Sequence, residues 1–183
     1  MPLMKMQKGL TLIELMVTLV VIAILLAAAG PSFLSTIKDN RRTAYINELV
    51  SSLNLARSEA VKSNRTVALC PSANSADCAG DNYDAGWIVF RNDNGDDPPV
   101  VDSPGEMILR THVVTQHAGT SMSASSLIAN GINFQPSGRP NNSGDITYCD
   151  DRGASHARRV IVNLVGVITT SDTEDDGSAL TCP

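Results

Sequence analysis

The sequence is poor in the residues from which chemistry is usually built. It has three histidines, one tryptophan and no Cys-x-x-Cys pair, and only 18% of its 183 residues are charged. His112, His117 and His156 are not spaced as a helical metal pair, and the four cysteines lack the companions of a zinc site. No Ser, His and acid set stands in a nucleophile context, so the sequence points away from an enzyme. Basic charge is scarce too. The formal charge is −5, and loss of a leader bearing Lys5 and Lys8 takes it to about −7. Nucleic-acid affinity comes largely from Lys and Arg on phosphates, so an acidic chain argues against DNA binding as a property of its whole surface.

What is present is unevenly distributed. From Leu15 to Ala29 every residue except Thr18 is apolar, while nearly all Gly, Asp and Asn lie beyond residue 60. An apolar segment and a polar head are therefore separate parts. An ordinary secretory signal places its cleavage site after the apolar run; here Lys5, Lys8 and Gly9 come before it. A helix from residue 10 to 30, at about 1.5 Å per residue, crosses most of a bilayer core. The preceding positive charges keep its start cytoplasmic and send the head to the periplasm, giving a single pass of the inner membrane. Glu14 interrupts this pattern. A carboxylate in a membrane helix costs about 2.5 to 3.5 kcal/mol at mid-bilayer and less at headgroup depth, so it either lies near the interface or has a cationic partner.

The run Lys8-Gly9-Leu10-Thr11-Leu12-Ile13-Glu14-Leu15-Met16 resembles the class III leader of type IV prepilins and type II secretion pseudopilins. The resemblance implies that prepilin peptidase cuts between Gly9 and Leu10 and methylates the new amine of Leu10. It also implies that Glu14 of an incoming subunit pairs with the Leu10 ammonium of a neighbour, each charge offsetting the other's burial. Leu10 stands where the family usually has Phe. Pro31, beside Gly30, matches the proline that bends or interrupts the pilin helix.

Beyond Pro31, Tyr45, Leu49, Leu53, Ala56 and Ala60 recur at spacings of three and four, the apolar face of an amphipathic helix that lies on a sheet and ends near Ser63-Asn64. Asn40, Arg41, Arg42, Asn47, Asn54 and Lys62 populate the other faces. Short strands are expected at Thr66–Cys70, Gly86–Arg91, Met107–Val114, Ile132–Gln135, Asp145–Cys149 and Arg158–Val162 continuing toward Thr169. Serine-rich Ser121–Ser126 reads as flexible surface, and Trp87 as core. The expected organisation is a leader, residues 1–9, then a helix, 10–64, in a membrane or fibre half, 10–30, and an amphipathic half, 31–64. A β-rich periplasmic head, 65–183, follows. The fold class is α+β, a long helical spine packed on an antiparallel sheet.

Cys70, Cys78, Cys149 and Cys182 suit an oxidising compartment. Three connectivities are open; Cys70 with Cys78 and Cys149 with Cys182 is preferred, because it closes a small polar loop and ties down the C-terminal segment.

Ala56-Arg57-Ser58-Glu59-Ala60-Val61, Gly86-Trp87-Ile88-Val89-Phe90 and Ile132 through Arg139 are similar to the GspH/FimT/FimU group of minor pilins and pseudopilins, and the ending at Cys182-Pro183 looks like the FimU type. The resemblance implies a low-abundance subunit that helps to start or cap a pilus. Its implied partners are other minor pilins, the major pilin and the inner-membrane assembly machinery. FimT-type relatives are associated with DNA uptake through a Gly-Arg-x-Arg segment; the comparable stretch here is Gly166-Val167-Ile168-Thr169, followed by Asp172, Glu174, Asp175 and Asp176. Arg139, Arg158 and Arg159 are the candidate DNA contacts that remain. Asn92-Asp93-Asn94-Gly95-Asp96-Asp97 has the oxygen density of a calcium loop, making Asp93–Asp97 the candidate cation site, but it lacks full EF-hand spacing and the closing glutamate.

Overall fold

Helix α1 runs from Leu12 to Ser63, and both ends carry the local signals that set its length. At the start, Thr11 and Glu14 cap each other, as described below. At the end, Asn64 adopts a left-handed φ of 52° and the Arg65 N–H donates to the Ala60 carbonyl at 3.3 Å, the six-to-one bond of a Schellman stop. In this computed structural model the described residues are 9–102, 105–115 and 117–182, with the side chains of 27–32 outside the description. The chain divides into two compact units, Met1–Arg41 and Arg42–Pro183.

Among the described residues of the second unit, eight strands form two antiparallel sheets. They are β1 (Val67–Pro71), β2 (Gly86–Arg91), β3 (Ile108–Val113), β4 (Ser121–Ala124), β5 (Ile132–Phe134), β6 (Gly144–Cys149), β7 (Arg158–Val162) and β8 (Ile168–Ser171), with a 3₁₀ turn at Ala154–His156. One sheet has the order β3-β2-β1-β5 and the other β4-β6-β7-β8. The expected single sheet is thus a pair. The segment before β2 joins them: the Tyr83 N–H donates to the Met122 carbonyl at 3.0 Å, the Met122 N–H donates to the Asp84 carboxylate, and the Tyr83 hydroxyl donates to the Ile128 carbonyl at 3.0 Å.

The helix face read from the sequence is the one that packs. Leu49, Leu53, Ala56 and Ala60 are fully buried, together with Val67, Leu69 and Val89 of the first sheet and Ile146, Tyr148 and Val160 of the second. Burial of each large aliphatic side chain contributes about 1.5 to 3 kcal/mol. Trp87 is core, as expected, stacked on His112 with ring centroids 4.3 Å apart. The first sheet is also covered on its outer face, where Ala68, Cys70, Ile88 and Phe90 pack under Cys78, Val101 and Ile108. This double burial explains why β1 and β2 are continuous apolar runs rather than alternating ones.

Two expectations need correction. Ser121–Ala124 is a strand, paired with β6 from Ser121 opposite Cys149 to Ala124 opposite Ile146. Its lone large residue, Met122, is buried between the sheets while the serines face outward. Nor does the strand from Arg158 continue toward Thr169. It turns back after Val162, and β8 pairs with β7 from Ile168 opposite Val162 to Ser171 opposite Arg159. Apolar Leu164 and Val165 conceal that turn in the sequence.

Candidate functional site

The first turn of α1 is built by four consecutive residues. The Glu14 carboxylate accepts the Thr11 backbone N–H at 3.0 Å and the Thr11 hydroxyl at 3.1 Å, and the Glu14 N–H donates back to the same hydroxyl oxygen at 3.3 Å. This is a capping box, legible in the sequence as Thr-x-x-Glu, and the reading of Glu14 as an isolated carboxylate missed it. Around it the helix is apolar on every side: Leu10, Leu12, Ile13, Met16 and Leu19 are all more than half exposed. A helix of that kind needs a membrane or other helices to cover it. Among the described residues no helix is long and apolar enough to cross a membrane; the expected span also takes in residues 27–30, whose side chains lie outside the description.

Gly9 is exposed, while Lys5 and Lys8 lie outside the described residues. Pro31 does not interrupt the helix, since α1 is continuous through it. A proline removes one intrahelical hydrogen bond and crowds one carbonyl, which a long helix with intact turns on either side absorbs.

The cysteines pair as preferred, Cys70 with Cys78 and Cys149 with Cys182. The second bridge packs with Ala157 and Leu180 and fastens the C-terminal segment to the end of β6. The first closes a loop organised by Ser72 and Asn74. The Ser72 hydroxyl donates to the Asp77 carbonyl at 2.6 Å, and Asn74 Oδ1 accepts the N–H groups of Ala76 and Asp77.

The candidate DNA contacts are not gathered into a patch. Arg158 and Arg159 are adjacent on β7 and so point to opposite faces. Arg139 donates through Nε to the Leu164 carbonyl at 3.2 Å, in the turn beyond the far end of β7, whose length from Arg158 to Val162 is about 13 Å. Acid groups already occupy the pair on β7. Arg158 lies 3.5 Å from Asp172, and buried Arg159 bonds Glu174 at 3.0 Å and also Asp175. The acidic stretch after β8 is thus the partner of these arginines, a relationship invisible in the separate motifs.

The Asn92–Asp97 loop likewise spends its oxygens internally. The Asp93 carboxylate faces Arg65 at 2.9 Å and Arg91 at 4.0 Å. The Asn92 side chain bonds Asn133 and the Asp96 carbonyl and accepts the Gly95 N–H, and Asp97 accepts from Asn141. These side chains are thus engaged by protein partners, and among the described residues no group of three or more His, Cys, Asp or Glu is placed to hold a metal.

The fold displaces the titrations of Tyr83, His112 and Asp150. Burial pushes the Tyr83 phenol up. It pushes His112 down, against the opposing pull of Glu48 and with the help of Arg110. Burial would raise Asp150, but hydrogen bonds from Arg152 and its charge outweigh that and hold the carboxyl below its ordinary value.

A long helix with an apolar, glutamate-capped start and an amphipathic half laid on a disulfide-stapled antiparallel head defines a pilin-type subunit. The family model described as "Type II transport protein GspH" matches residues 45–166, and that of the prokaryotic N-terminal methylation motif matches residues 4–30. The chain belongs to the GspH family. Among solved structures it is similar to the type IV minor pilin FimU of Pseudomonas aeruginosa PAO1 in two crystal forms. One has a TM-score of 0.56 and 19% identity over 78% of this chain and 95% of that one. The other has 0.54 and 18% over 75% and 96%. The minor pseudopilin EpsH of the Vibrio cholerae type 2 secretion system follows at 0.49, with 10% identity over 72% and 96%. At these identities the likeness is one of fold. No curated protein matches the chain.

Proposed function

We propose that the chain is a minor pilin of a type IV pilus. In this reading prepilin peptidase cuts after Gly9 and methylates Leu10, and the helix holds the subunit in the inner membrane with its head in the periplasm. The assembly machinery then draws it into the fibre beside the major pilin and other minor pilins, where it helps to initiate or cap assembly and so supports adhesion and twitching motility.

The observation that carries the reading is the Thr11–Glu14 turn at the head of an otherwise apolar helix. A carboxylate fixed there is costly in a lone anchor and useful where a neighbour's Leu10 ammonium meets it, since each charge then offsets the other's desolvation. The FimU-like fold and the C-terminal disulfide support a pilus subunit. The test is mass spectrometry of the mature protein together with its presence in sheared fibres. An N-terminus other than methylated Leu10, or absence from the fibres, would sink the reading.

The family's description as a type II transport protein favours a second reading, a minor pseudopilin of a secretion system with the same architecture. Deletion separates the two: lost twitching belongs to a pilus, lost exoprotein export to secretion.

A further inference from the structure

The turn between β7 and β8 carries Leu164, Val165 and Val167 into solvent, 52%, 57% and 44% exposed. Turns are ordinarily assembled from several polar residues, but here Asn163 does most of the work. Its Oδ1 accepts the N–H groups of Val165 at 3.1 Å and Val167 at 2.9 Å, and its carbonyl accepts that of Gly166 at 2.8 Å. The remaining positions are relieved of turn-making, and they are apolar.

This tip is held firmly. Gly166, at a φ of 80°, lies so close to the Gly138 carbonyl and the Arg57 guanidinium that a Cβ would not fit. Arg57 Nε donates to that same Gly138 carbonyl at 3.1 Å, and Arg139 Nε to the Leu164 carbonyl at 3.2 Å. Val61, 54% exposed near the end of α1, lies beside Arg57 next to Gly138, where a Cβ would crowd both. A shallow groove lined by Asn54, Arg57, Ser58, Val61 and Lys62 continues the surface along the helix. The other large apolar residues exposed among the described residues of the head, Val100, Met107, Val113 and Leu127, are scattered singly and call for no explanation.

We infer that the 163–167 turn and the adjoining groove of α1 form a docking face for a different pilin-type subunit, one that presents apolar side chains ringed by carboxylates. The inference rests on the pilin reading above. Its apolar centre is bordered by Arg57 and Arg139, with Lys62, paired to Glu59 at 3.1 Å, further along the groove, and charge of the opposite sign at the rim sets partner choice and orientation. A second copy is the poorer occupant. Two-fold pairing sets these cations against their own copies, and the chain's acidic Asp172, Glu174 and Asp175 are already engaged by Arg158 and Arg159.

The test places a photo-crosslinking residue at Val165, and in a parallel strain at Val113, in the full chain expressed with its own fibre machinery. The expected result is a Val165 adduct with another protein carrying an N-terminal methylation motif, captured through a peptide containing Asp or Glu, at roughly tenfold the Val113 yield. The combined Arg139→Glu and Lys62→Glu change lowers that yield to the Val113 level while both disulfides and the melting temperature persist. Adducts with the chain itself, adducts with a non-pilin protein, or equal yields at the two positions overturn the docking face. Chain present in sheared fibres without the Val165 adduct defeats this inference alone; the adduct formed by a chain that never enters fibres defeats the fibre reading alone.

Discussion

Glu14 closes the first turn of α1 on Thr11, taking its backbone N–H at 3.0 Å and its hydroxyl at 3.1 Å. In the subunit on its own, the carboxylate therefore satisfies donors that the helix start leaves open; in the proposed fibre it is the group that a neighbouring Leu10 ammonium would meet. Glu14→Val should be processed by the peptidase as wild type is, yet be largely lost from sheared fibres. Thr11→Val, which keeps the charge but removes the hydroxyl, should weaken the cap by about 1 kcal/mol and reduce fibre entry far less. Immunoblots of membrane and sheared fractions read both. Normal incorporation of Glu14→Val would show the charge pairing to be wrong.

The two bridges differ in the loop they close, 33 residues of separation against 8. On chain-entropy grounds, replacing Cys149 and Cys182 with serine should cost about 4 kcal/mol, and replacing Cys70 and Cys78 about 2.5 kcal/mol. Denaturant melts of the two double variants should keep that order.

Met122 is the test of the strand that serine-rich composition hid. It is 2% exposed and bonded through its backbone to Tyr83 and Asp84. Met122→Ala should destabilise the head by about 2 to 5 kcal/mol, whereas Ser123→Ala should change little. The Met122 N–H is taken by Asp84, so the amide that reports the pairing is that of Ser123, opposite Thr147 of β6; slow exchange there would give the same answer without mutation, and fast exchange would contradict the strand.

Acid should weaken the head in two stages. His112 is held below its ordinary 6.5, so the folded state binds fewer protons than the unfolded chain, and stability falls as the pH drops from 6.5 through the folded value. Asp150 is held below 3.8; the stability it contributes is complete above 3.8 and is lost as the pH falls through its folded value. Melting temperature against pH should show both declines, and His112→Gln should remove only the first.

The arginines of β7 should behave as structure. Arg159→Ala removes the buried guanidinium but leaves Glu174 and Asp175 open to water, so it should destabilise the head by only about 1 to 2 kcal/mol, with no change in DNA mobility at low salt. Retardation by the wild-type protein, abolished by Arg158→Ala and Arg159→Ala together, would reverse that assignment.

Much of the protein was decided by the order of its residues alone. The apolar run with Gly9 before it and Glu14 within it, the helix face of Leu49, Leu53, Ala56 and Ala60, and the stop at Asn64 all rest on contacts a few residues apart, so periodicity and capping chemistry expose them. Thr-x-x-Glu is equally local, since both capping partners lie within one turn. Tertiary structure decided what depends on distant segments. It split the strands into two sheets, buried Met122 while leaving its serine neighbours outside, and set Asp172, Glu174 and Asp175 against Arg158 and Arg159 across the β7–β8 hairpin. It also brought Gly138, Gly166 and Arg57 together, so that an apolar turn stands beside the end of α1. Such pairings are selected by the packing of the whole head, which no short window of sequence contains.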